Sequence, residues 1–109
     1  MGESQRIIGI DLGTSTCCVA TVDDGQPRVI LDRDGANIQH SVVYFRDDGK
    51  IIVGSEAKHY IIKDSQNTVY SAKRLIGRKF YSSEVKRAQA VMPYTIVEGP
   101  SHSVNLVIH

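Results

Sequence analysis

The stretch Ile8-Gly9-Ile10-Asp11-Leu12-Gly13-Thr14-Ser15-Thr16 constrains this chain more than any other. An apolar run delivers one carboxylate to its end, and a glycine followed by three hydroxyl residues comes next. Strand residues alternate faces, so the pattern predicts Ile8 and Ile10 pointing into a core while Asp11 points the other way. Gly13 permits close backbone approach, and the N–H groups and hydroxyls of Thr14, Ser15 and Thr16 suit phosphate oxygens. Asp11 stands where a metal–water shell on a nucleotide could be held. On these residues alone two readings are open. One is a phosphate-binding turn; the other is a β-hairpin whose glycine and hydroxyls serve only the turn.

A chain of 109 residues fits one domain and buries about two-thirds of its unfolded surface. Its 41% hydrophobic content is enough for a core. Thirteen basic and 12 acidic residues leave a net charge of +1, without the bulk field that DNA, RNA or an anionic membrane surface would favour. No apolar run approaches the roughly 20 residues that span a bilayer. Met1-Gly2-Glu3-Ser4-Gln5-Arg6 lacks the layout of a signal peptide, so a cytoplasmic location is expected. Cys17 and Cys18 are adjacent, would point to opposite strand faces, and are expected to be reduced thiols.

The first half reads as β. Strands are predicted over Arg6–Leu12, Cys17–Asp23, Pro27–Asp32, Ser41–Arg46 and Lys50–Val53, with turns at Asp24-Gly25, Asp34-Gly35 and Asp48-Gly49. The middle changes period. Ala57, Tyr60 and Ile61 fall on one helical face, as do Val69, Ala72, Leu75 and Ile76 before Gly77. Val85, Ala88 and Met92 predict a third helix, capped by Ser82 or Ser83 and ended by Pro93. Tyr94–Glu98 and Ser103–Ile108 form a closing hairpin around Gly99-Pro100. The strand-like run Val104–Ile108 reaches almost to the terminus, which reads as a chain cut from a longer one.

Ile8–Thr14, followed by Cys18-Val19-Ala20, resembles the first phosphate motif of the seventy-kilodalton heat-shock (DnaK-type) chaperones. Sugar kinases and actin-like proteins carry similar turns. The block Asn67-Thr68-Val69-Tyr70-Ser71-Ala72-Lys73-Arg74-Leu75-Ile76-Gly77-Arg78-Lys79-Phe80 is similar to the chaperone family and not to those cousins. Ser41-Val42-Val43, Val53-Gly54, Ala57-Lys58, Pro93-Tyr94 and Ile96-Val97 follow the family's order. The resemblance covers nearly the whole chain.

It implies an α/β chain with a partial actin-like ATPase (ribonuclease H-like) fold. Residues 1–38 would be the N-terminal β-rich part of the first subdomain, and 39–109 the small α/β subdomain of lobe I, one wall of a nucleotide cleft. Asp11 matches the family's carboxylate on the magnesium side, acting through water. Gly13, Thr14, Ser15 and Thr16 match its phosphate loop, and Lys73 its catalytic lysine. Arg74 matches a neighbouring arginine of structural or interdomain role. ATP or ADP with Mg is the implied ligand set. A J-domain co-chaperone, a nucleotide-exchange factor and unfolded client peptides are the implied partners. Spacing alone makes Lys73 a solvated helical residue.

The chain departs from the family pattern at three places. Thr16 replaces a larger Asn, Tyr or Phe, Cys17 stands where serine is common, and His40 stands where proline usually precedes Ser-Val-Val. His40 reads as an exposed loop histidine, and the seven aromatic residues as core or cleft-wall packing. A cleft built from one wall cannot sandwich a nucleotide, so the chain alone is expected to be inactive, while the resemblance implies that a full-length parent would be an ATPase. Exposed subdomain surfaces would favour self-association. The competing readings are a truncated, non-catalytic protein-interaction module, and part of a sugar kinase or another actin-like ATPase.

Overall fold

The computed structural model describes residues 6–109; the reading of Met1–Gln5 lies outside them. Strand β2 (Thr16–Asp23) organises the first sheet. Strand β1 (Ile8–Leu12) pairs along one edge of it, while β3 (Gln26–Val29) and β4 (Gln39–His40) share the other edge, all antiparallel. The β2–β3 turn is Asp24-Gly25, with φ of 50° and 78°. Positive φ at both central residues matches the right-handed twist of the flanking strands.

The second sheet has the order β6 (Ile51–Val53), β5 (Val42–Phe45), β7 (Thr68–Tyr70). The third is the hairpin β8 (Thr95–Glu98) with β9 (Val104–Val107), in which the closing run finds a partner on one side. Between β6 and β7 lie a 3-10 turn at Gly54–His59 and the one-turn helix α1 (Tyr60–Lys63). Helix α2 (Ser83–Val91) starts where the Ser82 hydroxyl accepts from the Val85 N–H. It stops at Met92, whose extended backbone precedes Pro93. Mixed sheet and helix are compatible with the α/β class. Among the described residues no helix is long and apolar enough to cross a membrane.

Two corrections concern packing. Val69, Ala72, Leu75 and Ile76 do not share a helix. Thr68–Tyr70 pairs with β5, Ser71 turns left-handed at φ 57°, and Ala72–Arg74 is a single 3-10 turn. Ile8 and Ile10 do not enter a core either; both are exposed, and neither buried cluster includes a residue of the first sheet, although Thr21 opposite Ile8 is buried. The buried core instead gathers Val69, Leu75, Val85, Ala88, Tyr94 and Ile96, with a satellite of Val42, Tyr44 and Ala57. Val85 at 0% exposure contributes about 1.5–3 kcal/mol of burial. Buried Thr68 places its hydroxyl 2.9 and 2.8 Å from the carbonyls of Tyr60 and Asp64, tying β7 to α1.

Tyr94 ties the hairpin to the second sheet. It is 2% exposed, and its hydroxyl donates to the Tyr70 carbonyl at 2.7 Å. Burial, then the neighbouring Tyr70, pushes its pKa from 10.0 up to about 12. A raised folded-state pKa means that the stabilisation is complete below pH 10.0 and is lost as pH climbs toward 12. The expected loss across that window is on the order of 2 kcal/mol. Denaturant titrations below and above the window measure it. Tyr94→Phe should lower neutral-pH stability by about 1 kcal/mol and shrink the alkaline loss. An alkaline limb of unchanged size in the variant contradicts the assignment.

Candidate functional site

The turn between β1 and β2 is built by its own backbone. Leu12 pairs with Cys17, and inside that pair the Gly13 N–H donates to the Thr16 carbonyl at 2.9 Å. A Cβ on Gly13 would lie 2.5 Å from that oxygen, so a larger residue would open the turn. From the other edge of β2 the chain returns to clamp it. Thr16 pairs with His40, the Ser41 N–H donates to the Ser15 carbonyl at 2.9 Å, and the Ser41 hydroxyl reaches the Gly13 carbonyl at 3.4 Å. These bonds engage the carbonyls of Gly13, Ser15 and Thr16. The N–H groups of Thr14 and Ser15 make no hydrogen bond among the described residues. Two free donors at a turn tip are the chemistry an anion needs.

Lys73 arrives from 61 positions away. The left-handed backbone at Ser71 ends β7, and buried Leu75 anchors the far side of the 3-10 turn. Between them Lys73 stands exposed, and its ammonium donates to the Leu12 carbonyl at 2.5 Å. A left-handed non-glycine residue costs about 1–2 kcal/mol, which the surrounding pairing offsets. The result is a positive charge at the last carbonyl before the glycine turn.

A cavity of about 160 Å³ lies beside the turn, lined by Thr14, Ser15, His40, Ser41, Lys58 and Tyr70 among others. It offers hydroxyls and a cation. Its volume suits a phosphate-sized anion rather than a whole nucleotide, since ligand pockets run to about 300–1,000 Å³. A larger cavity of about 780 Å³ lies between residues 32–39 and 51–56. Asp32, Asp34 and Glu56 line it, against Arg33 alone, and that charge repels phosphate.

The six sequence candidates do not all meet. Gly13, Thr14, Ser15 and Thr16 form one turn, and Lys73 touches the residue before it. Asp11 is exposed on β1 opposite Cys18, on the sheet face away from the Leu12 side chain. No group of three or more His, Cys, Asp or Glu residues among the described ones could hold a metal alone. A lone carboxylate fits magnesium that keeps its waters and takes its other ligands from phosphate. His40 is corrected from an exposed loop residue to a half-buried member of β4 that lines the cavity. Ser41 and Lys58 carry no site role in the sequence reading, although the blocks Ser41-Val42-Val43 and Ala57-Lys58 stand out there, and Tyr70 is expected only as core or cleft-wall packing. Cys17 and Cys18 are free thiols, half-buried.

A protein-family model described as "Hsp70 protein" matches residues 7–109.

Proposed function

The chain belongs to the Hsp70 family of heat-shock chaperones, and we propose that it supplies one wall of an ATP-hydrolysing site that drives binding of unfolded peptides. In this reading residues 1–38 and 39–109 are two parts of an actin-like, ribonuclease H-like fold. The Gly13–Thr16 turn receives the phosphates through the N–H groups of Thr14 and Ser15 and the hydroxyls around them. Lys73 places its ammonium on the phosphoryl group that is transferred to water. Phosphoanhydride hydrolysis needs positioning and charge stabilisation more than covalent help, and a flexible point charge provides that. Asp11 would hold magnesium through water, and the ion would supply further neutralisation of phosphate charge.

The donors converge from one side only among the described residues, and a nucleotide needs a second wall. The chain by itself is therefore proposed to bind phosphate weakly and to turn nothing over. A J-domain co-chaperone, a nucleotide-exchange factor and client peptides are the partners this reading carries, in the cytoplasm. The observation that supports it most is the Lys73–Leu12 contact beside two unpaired turn N–H groups.

An amide NMR titration of the chain with magnesium ATP tests it. The largest shift changes should fall on Gly13–Thr16, Ser41 and Lys73. Changes confined to the cavity at 32–39 and 51–56, or none at all, overturn the phosphate-turn assignment. Steady-state turnover by the isolated chain that disappears with Lys73→Ala overturns the one-wall assignment instead.

A further inference from the structure

A second groove lies away from the phosphate turn, between the segment after Lys73 and helix α2. Its volume is about 260 Å³. Ala88, Val91 and Met92 supply apolar surface, and Arg74, Arg78 and Arg87 supply three guanidinium groups. Only one carboxylate, Glu84, lines it with them. Arg78 pairs with Glu84 at 3.4 Å, while Arg74 and Arg87 have no carboxylate partner among the described residues. The Glu84 carboxyl is held below its ordinary range by the backbone N–H it accepts from and then by Arg78, with Arg87 adding to the same field. Val91 is 69% exposed at the end of α2, an aliphatic side chain facing water beside two unpaired cations.

We infer that this groove docks an acidic peptide segment carrying an apolar side chain, the side chain seated on Ala88, Val91 and Met92 and its carboxylates bridging Arg74 and Arg87. Charge complementarity selects the occupant. The groove is short of negative charge, and guanidinium forks take carboxylates in two parallel hydrogen bonds. The apolar surface argues for a peptide over inorganic polyphosphate, because an anchor side chain gains by desolvation what a phosphate chain cannot. Neither the phosphate turn nor Lys73 lines this groove, so failure of the docking leaves the nucleotide site untouched; Arg74, matched above to an arginine of structural or interdomain role, is the one residue shared with the family reading.

The test is fluorescence anisotropy with a fluorescein-labelled peptide of glutamates flanking one leucine, beside the same peptide with serine for leucine. The leucine peptide should bind saturably and weaken with salt. Arg87→Glu and, separately, Val91→Gln should each weaken it about tenfold or more, with unchanged circular dichroism. Both positions are exposed, so folding is not at stake. Absence of saturable binding overturns the proposal. So does equal binding of the serine peptide, displacement by tripolyphosphate at equal concentration, or an unaltered affinity in Val91→Gln.

Discussion

On the proposed reading, Lys73→Ala should lower ATP turnover of an Hsp70-family protein containing this sequence by about 100- to 1,000-fold, with little change in KM. In that reading a donor that meets developing phosphoryl charge acts in the transition state more than in the ground state, so the loss falls on kcat. The magnitude corresponds to about 2.7–4 kcal/mol, the range for removing one preorganised donor from an excluded site. Folding should survive. Lys73 is exposed, and its one side-chain hydrogen bond, to the Leu12 carbonyl, is worth roughly 1 kcal/mol in water. Single-turnover kinetics beside a thermal melt separate the two effects. A variant within threefold of the parent rate, roughly 0.7 kcal/mol, leaves Lys73 as a turn clamp and nothing more.

The parts of the fold legible in the sequence are those written locally. Asp24-Gly25 names its own turn, and α2 carries a serine cap, spaced apolar residues and a following proline. The segment Val69–Ile76 misled because its apolar spacing fits a helix as well as a strand followed by a turn. The pairing of Thr68–Tyr70 with β5 decides the matter, and that partner lies more than 20 positions away. Strand β4 is two residues long, too short for any period to show. The site divides the same way. The glycine turn announces itself because its constraint is steric and local, with the Thr16 carbonyl where a Gly13 side chain would be. The Ser41 clamp is a backbone contact from outside the turn, invisible to residue chemistry. By spacing alone Lys73 is a solvated cation, and only the resemblance of its surrounding block, Asn67–Phe80, lifts it above that. What spacing cannot supply is the left-handed Ser71 that aims it across the sheet.

The first sheet carries the other large expectation, self-association of the chain in solution. Ile8, Ile10 and Leu12 line one face of β1, and Ile10 is 66% exposed. By register Val19 and Ile30 extend that face across β2 and beyond it. Both buried clusters draw only on residues from Val42 onward, so this sheet packs on no core of its own. The radius of gyration, 17.2 Å, exceeds the roughly 13 Å of a compact chain of this size, and the longest extent is 53 Å. The outer edge of β1 is also unpaired among the described residues, leaving strand addition open. An apolar face beside a free edge should drive dimers or larger species across the micromolar-to-millimolar range. Sedimentation velocity over that range reads the effect. Ile8→Lys with Ile10→Lys removes no core contact, places charge on both face and edge, and should weaken association by about tenfold or more. A parent chain that stays monomeric at millimolar concentration contradicts the expectation. A lysine pair that associates as tightly as the parent moves the contact to another surface.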